Sequence, residues 1–153
     1  MANSYTQIHI HIIFAVLYRY ASIDISWEVE LYKYITSIVS NNGHKVIQIG
    51  GMPDHIHLLI GMQPTQTLAD LVNKVKSNSS LWINKNKRIL GKFYWQEGYS
   101  AFSYGKSQLD SVVKYIINQK AHHKNKSFSE ENKEFLDLFN VEYDERYILK
   151  DPE

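Results

Sequence analysis

Two histidine pairs, each with one residue between its members, are the first side chains in this sequence that could do chemistry. His55 and His57 lie in MPDHIHLLI, and His9 and His11 lie in the earlier segment QIHIHIIF. In a β-strand, residues i and i+2 project from the same face, so each pair would present two imidazoles side by side. Two imidazoles form part of a metal site, which usually needs a third protein ligand, and such pairs also occur on exposed sheets without a metal. The residues alone leave both interpretations open.

A tyrosine and a glutamine downstream could complement a histidine pair. Tyr115 and Gln119 lie in KYIINQK at a spacing of i, i+4, which places them on one face of a helix. A phenol with a pKa of about 10 is a poor nucleophile, but a metal ion that polarises a phosphodiester would compensate for this. Attack on DNA phosphate would give a covalent phosphotyrosine. Alternatively, Tyr115 is one of eleven tyrosines and packs on the sheet.

Hydrophobic periodicity predicts four strands and three helices that would carry these side chains. The predicted strands cover residues 5–16, 44–49, 55–62 and 94–104. The predicted helices cover residues 26–42, 67–86 and 107–123, with Ser26 and Thr67 as candidate N-caps. Residues 50–54 are expected to form a hairpin turn, and Gly98 is a candidate bulge in the last strand.

The order of these elements, β-α-β-β-α-β, predicts the α+β ferredoxin-like (split βαβ) fold. Its four-stranded antiparallel sheet would carry helices on one face and leave the other face open, with the helix that bears Tyr115 as the catalytic helix near the C-terminus. We expect one main domain over residues 1–126 and an acidic tail over residues 127–153. The tail has apolar residues at helical spacing, which predicts one more short helix.

Composition narrows the class of protein. The chain has 153 residues, of which 44% are hydrophobic and 22% charged, as expected for one globular domain. It contains no cysteine, which excludes disulfides, thiolate metal sites and cysteine nucleophiles. The longest apolar run, at residues 12–17, is far too short to cross a bilayer, and the N-terminus lacks the pattern of a signal peptide. A cytoplasmic location is therefore expected.

Charge is unevenly distributed along the chain. Residues 71–126 have a formal charge of +9, and seven tryptophan, phenylalanine and tyrosine side chains lie among them between Trp82 and Tyr104. Residues 127–153 have a charge of −6. Lysines that hold phosphates and aromatic rings that stack on bases are typical of a nucleic-acid surface. Solvated helix faces and ordinary core aromatics would give the same composition, so both interpretations remain open.

The ordered set of motifs, however, closely resembles a known family. MPDHIHLLI, the lysine-containing helix after it, YWQEGY at residues 94–99 and the Tyr-x-x-x-Gln helix are similar to the single-strand insertion-sequence transposases. These are the one-tyrosine members of the HUH nuclease superfamily, and the sequence is similar to the group called REP-associated tyrosine transposases. The resemblance covers residues 5–123 and includes HIIFAVLYRYASI near the N-terminus.

The resemblance implies a DNA transposase that cuts and rejoins single-stranded DNA. Tyr115 would attack the scissile phosphate and hold the 5′ end of the cut strand. His55 and His57 would bind Mg²⁺ or Mn²⁺, with Gln119 as the third ligand. The DNA would contain hairpins. The protein would be a homodimer, in which the tyrosine helix can complete the partner's histidine pair.

Four residues are expected to contact DNA on the same grounds: Tyr18, Arg19, Lys74 and Lys76. Leu17 stands where family members often have lysine, which weakens the expectation for the loop after the first strand. His11 matches a histidine common near the start of the family, and we expect it to support the site or the strand. Asp54 could orient a ligand histidine or cap the turn, and we favour the turn role because Pro-Asp is common in turns.

Two other functions compete with this one. The first is a domesticated, non-catalytic protein that binds single-stranded DNA or hairpins on the same scaffold. The second is a histidine-triad phosphoesterase, which would need a third alternating histidine where this chain has Leu59.

Overall fold

The computed structural model describes residues 4–122 and 126–153, and it confirms the α+β ferredoxin-like fold. Four strands and five helices follow one another in the described part of the chain. They are β1 (His9–Ala15), α1 (Ile25–Asn41), β2 (Lys45–Met52), β3 (His55–Gly61), α2 (Leu68–Lys85), β4 (Ser100–Ser103), α3 (Leu109–Ile117), α4 (Gln119–His122) and α5 (Phe128–Leu138). None of the helices in these ranges is long and apolar enough to cross a membrane.

The sheet has the strand order β2-β3-β1-β4, and all neighbouring strands are antiparallel. β1 and β3 are therefore the central strands. His57 lies opposite Ile13 and His55 lies opposite Ala15 in their register. Six of the seven residues of β3 are buried, so both faces of this strand lie inside the protein. The predicted histidine strand is thus held from two sides by other strands.

One face of the sheet packs against α1 and α2. The shared core contains the side chains of β1 and β3 that point away from the histidines, together with the apolar stripes of both helices. Its fully buried members include Phe14, Ile56, Leu58, Leu31 and Leu71. Truncation of one such side chain to alanine typically lowers the free energy of unfolding by about 2 to 5 kcal/mol. This core therefore keeps the central strands in register.

The other face is covered, which corrects the prediction of an open face. Phe128 and Leu136 of α5 pack with Ile13 of β1, and Val112 and Ile116 of α3 pack on Leu59 of β3. Phe102 of β4 belongs to the same cluster as α5. Strands β1, β3 and β4 all place apolar side chains on this face. These side chains can be buried only if further helices pack over them.

The ends of several elements differ from the predictions. Helix α1 begins one residue early because Asp24, and not Ser26, is its N-cap, and the Asp24 carboxylate accepts a hydrogen bond from the Ser26 amide. Thr67 is confirmed as the N-cap of α2, since its hydroxyl accepts from the Asp70 amide. Asp24 had the same capping chemistry available two residues upstream of Ser26, and the apolar pattern alone could not choose between them.

The last strand and the third helix are both shorter than predicted. The strand keeps only Ser100–Ser103, because Gly98 has φ +83° and the chain before it makes a single bridge from Trp95 to Val16. The helix starts with a 3₁₀ turn at Lys106–Gln108 and is interrupted at Asn118, so Gln119 begins α4. Its predicted end at residue 123 lies outside the described residues.

Strands β2 and β3 join through a two-residue turn at Pro53–Asp54, tighter than the five-residue turn predicted. Glycine is required just before this turn. A Cβ on Gly51 would overlap the carbonyl oxygen of His55, and a Cβ on Gly50 would lie 2.9 Å from Cγ2 of Ile116. The glycines thus allow the hairpin to close and α3 to approach the histidine strand.

Gly51→Ala should therefore disrupt the hairpin that carries the histidines. We expect a loss of more than about 2 kcal/mol in the free energy of unfolding, because backbone must move to remove the overlap. Gly61→Ala is the matched control at the end of β3, since a Cβ there would meet only the Lys45 Cβ at 4.0 Å. Urea denaturation of both variants measures this, and equal stabilities for the two would contradict the account of Gly51.

Candidate active site

The imidazoles of His55 and His57 project from β3 into the space between the sheet and α5, where both are fully buried. There they meet the carboxylate of Glu131, which is also buried. Glu131 Oε1 lies 2.9 Å from His57 Nε2 and 3.3 Å from His55 Nε2. One carboxylate oxygen thus faces both histidine nitrogens.

Tyr115 and Gln119 reach the same carboxylate from the other side. The Tyr115 hydroxyl donates a hydrogen bond to Glu131 Oε2, and the Gln119 amide donates to the same oxygen at 3.1 Å. The Gln119 side-chain oxygen lies 3.1 Å from His55 Nε2. The helix break at Asn118 therefore does not separate these side chains, and a single chain brings all four predicted residues together.

The remaining ring nitrogens of the two histidines also have partners. His55 Nδ1 lies 2.7 Å from the Asp54 carboxylate, and His57 Nδ1 lies 2.7 Å from Nε2 of His11. Asp54 thus contacts His55 as well as forming the turn, so both roles considered for it are present. His11 lies beside the site as expected, whereas His9 pairs with Gly61 at the other end of β3.

For a neutral imidazole, these contacts favour the tautomer in which Nδ1 carries the proton and the Nε2 lone pair faces Glu131. Burial, and then the neighbouring His57, lower the pKa of His11 well below its ordinary value, although Glu131 opposes this. A neutral His11 can accept a hydrogen bond from the Nδ1–H of His57. Asp54 accepts from the Nδ1–H of His55 in the same way, as is usual for metal-binding histidines.

Without a metal, the same residues form a proton-binding network. Burial lowers the pKa of His55, but its contacts with Asp54 and Glu131 outweigh burial and raise this pKa to about 9. Burial, and then Glu131, raise the pKa of Tyr115 well above its ordinary value. The phenol is therefore held protonated in this arrangement.

The donor set fits a divalent cation. Ligand atoms of His55, His57 and Glu131 all lie within 4.8 Å of one another. Neighbouring ligands of an octahedral ion with bonds of 2.0–2.1 Å lie about 3 Å apart. The distances of 2.9, 3.1 and 3.3 Å between donor atoms are close to this value. Imidazole nitrogens suit ions such as Zn²⁺ and Fe²⁺, whereas carboxylate and amide oxygens suit Mg²⁺ and Mn²⁺.

Glu131 is the site residue that the sequence analysis missed. It was one of nine acidic residues in the tail, and nothing singled it out there. The available signal was its position in the apolar stripe of the tail helix. Phe128 lies three residues before it and Phe135 four residues after it, whereas its neighbour Glu130 is exposed. A carboxylate at a core position of an amphipathic helix usually has a buried partner.

The four expected DNA contacts separate into two groups. Arg19 is exposed and lines a groove that also contains Asp54 and Lys126, so it lies at the His55 end of the site. Tyr18 is half-buried and stacks on Tyr20 with ring centroids 5.4 Å apart.

Lys74 and Lys76 lie on α2, across the sheet from the histidines. Lys74 is 3.7 Å from Asp70 on the same helix. The ammonium of Lys76 donates to the carbonyl oxygens of Gln96 and Gly98, and burial lowers its pKa to about 8 despite the nearby Glu97. Lys76 thus helps to hold the loop before β4.

Comparisons with known proteins agree with this fold. The family model for IS200-like transposases matches residues 4–119. The ISDra2 transposase TnpA of Deinococcus radiodurans is 27% identical over 118 residues, which cover 74% of this chain and 84% of the relative.

Two solved structures share the fold. A crystal structure of a protein from Deinococcus radiodurans R1, described as a transposase, has a TM-score of 0.60 and 23% identity, over 78% of this chain and 96% of the other. A REP-associated tyrosine transposase bound to a REP hairpin has a TM-score of 0.61 and 12% identity, over 81% of this chain and 73% of the other.

The ferredoxin-like sheet and the family match together define a protein of the transposase class. The match to residues 4–119 covers most of the sequence. The chain belongs to the IS200-like transposase family. Helix α5, with Glu131, follows the matched residues.

The pKa of His55 predicts how the stability of chelator-treated protein depends on pH. Folding raises this pKa from 6.5 to about 9. The proton-linked stabilisation should be fully present below pH 6.5 and lost as the pH rises through 9, with a magnitude on the order of 3 kcal/mol. Urea denaturation across this range measures it. Asp54→Asn should flatten the profile, and an equally steep loss in that variant would contradict the role of Asp54.

Proposed function

We propose that this protein cuts and rejoins single-stranded DNA through a 5′-phosphotyrosine on Tyr115, with Mg²⁺ or Mn²⁺ bound by His55, His57 and Gln119. The observation that carries the proposal is the convergence of these side chains on one buried carboxylate. The Tyr115 hydroxyl and both histidine Nε2 atoms contact Glu131 from opposite sides. A phosphate that replaced the carboxylate at Tyr115 would lie beside the metal site.

The proposed reaction exchanges one phosphodiester for another. The Tyr115 oxygen forms a bond to phosphorus as the bond from phosphorus to the 3′ oxygen breaks, and the phenolic proton leaves while the 3′ oxygen gains one. A divalent metal, when bound, would stabilise the negative charge that develops on the phosphate oxygens. Attack by a 3′ hydroxyl on the phosphotyrosine reverses these steps and rejoins DNA.

A groove beside Tyr115 gives DNA a route to the nucleophile. Its volume is about 300 Å³, and its lining includes Tyr104, Val112, Tyr115 and Phe135. Aromatic side chains of this kind stack on unpaired bases, which a single strand exposes and a duplex does not. This supports single-stranded DNA as the substrate, with hairpins as the structured part of the target. The related transposase bound to a REP hairpin is consistent with that choice.

A homodimer remains part of the proposal, but the chemistry does not require it. The Glu131 carboxylate is already contacted by four side chains of the same chain: Tyr115, Gln119, His55 and His57. We therefore propose that the active site assembles within one chain. A partner would then contribute to DNA binding and not to the metal site.

One observation favours a non-catalytic hairpin-binding protein as the second candidate. Burial and Glu131 raise the pKa of Tyr115, so the phenol is not activated in this arrangement. A protein in which Tyr115 kept these surroundings while DNA was bound would hold hairpins without cutting them. Detection of the covalent adduct separates the two functions.

Tyr115→Phe should abolish covalent adducts with labelled single-stranded DNA in Mn²⁺, by at least about 1,000-fold, while hairpin binding is kept. Tyr104→Phe is the matched control, because Tyr104 lines the same groove. A denaturing gel measures the adduct. A persistent 5′-linked adduct in Tyr115→Phe, together with its loss in Tyr104→Phe, would move the nucleophile to Tyr104.

Arg19→Ala should weaken hairpin binding at every sequence. It should also reduce the slope of log affinity against log salt concentration by about one, because one fewer counterion is released. The reason is that Arg19 lies exposed in the groove next to Asp54. Lys74→Ala serves as the control from the opposite face of the sheet. Fluorescence anisotropy over a range of salt concentrations makes the comparison. A larger effect of Lys74→Ala would place DNA across α2 instead.

A further inference from the structure

We infer that Glu131 is a bridging carboxylate: its Oε1 is a metal ligand and its Oε2 holds the Tyr115 hydroxyl, so that metal binding and docking of α5 occur together. This inference rests on the proposed metal site and deepens it. The ligand set implied by the family resemblance ends at Gln119. Glu131 comes from a helix that follows the family match, which ends at residue 119.

Charge is the first argument. His55, His57 and Gln119 would bind a divalent ion as neutral ligands. Glu131 is 1% exposed and brings a negative charge into the same buried space. A buried carboxylate needs a compensating charge, which a divalent ion held between it and the two imidazoles would supply.

Geometry is the second argument, because the two carboxylate oxygens have different neighbours. Oε1 lies 2.9 Å from His57 Nε2 and 3.3 Å from His55 Nε2, as a ligand sharing one ion with them would. Oε2 accepts hydrogen bonds from the Tyr115 hydroxyl and from the Gln119 amide at 3.1 Å. The second contact turns the Gln119 oxygen toward His55, so Glu131 also positions another candidate ligand.

The packing of α5 explains why docking and metal binding are coupled. Ser127 caps the helix by accepting from the Glu130 amide, and Ser100 of β4 donates to Asn132 at 2.6 Å. Phe128 and Leu136 anchor the helix in the apolar cluster on the sheet. Glu131 therefore reaches the histidines only when these contacts hold α5 against the sheet. A metal ion that binds Glu131 will therefore stabilise the docked helix by mass action.

Titration calorimetry of the full chain with Mn²⁺ tests the inference. Glu131→Gln keeps the shape of the side chain but removes its charge, and it should weaken Mn²⁺ binding at least 10-fold. Glu130→Gln, its exposed neighbour on the same helix, should change the affinity less than 2-fold. His57→Ala provides the reference for loss of the metal site. Unchanged or tighter binding in Glu131→Gln would overturn the inference.

The same titration separates this inference from the proposed function. If the unaltered protein binds Mn²⁺ and His57→Ala does not, the histidine metal site stands whatever Glu131→Gln shows. If the unaltered protein does not bind Mn²⁺, the metal part of the proposed function fails first.

Hydrogen exchange tests the coupling without relying on how a variant folds. Mn²⁺ should slow amide exchange in residues 128–138 of the unaltered protein at least 10-fold, because the ion holds α5 closed. Exchange in α1, on the opposite face, should change little. Slower exchange confined to β3, with no change in α5, would show that the ion binds the histidines without Glu131.

Discussion

A single buried carboxylate on the last helix organises this site. Glu131 is 1% exposed and contacts two histidines, a tyrosine and a glutamine that come from three other elements. An unpaired carboxylate in such a place would cost several kcal/mol, so each contact is needed to hold the charge. The orientation of Gln119 follows from that requirement, while apolar contacts position α5 and burial is the first cause of the raised pKa of Tyr115.

The sheet converts this electrostatic requirement into fixed geometry. Alternation along β3 sends Ile56, Leu58 and Ile60 into the core with α1 and α2, and sends His55 and His57 to the other face. A shift of β3 by one residue relative to its neighbours would turn the histidines into the core and the apolar side chains out of it. Burial of the apolar side chains opposes that shift. The register of the histidines is thus set by side chains that take no part in chemistry. Gly50 and Gly51 then allow α3 and the hairpin turn to approach closely.

Much of this structure could be predicted from the sequence, because local patterns determine it. Period-two alternation predicted the histidine strand, apolar stripes predicted the first two helices, and the order of the elements predicted the fold. The break at Asn118 and the covered second face could not be predicted in this way. They depend on packing between elements distant in sequence. Glu131 was missed for the same reason, since its burial follows from the docking of α5.

The central claim is that one chain builds a metal site in which Glu131 joins the histidine pair to Tyr115. The most direct measurement is anomalous diffraction at the manganese absorption edge from crystals of the protein grown with Mn²⁺. The account predicts one strong peak about 2.0–2.3 Å from Nε2 of His55 and His57 and from Oε1 of Glu131, all of one chain. A peak at the histidines with Glu131 turned away, or with the tyrosine helix of a second chain completing the site, would contradict it.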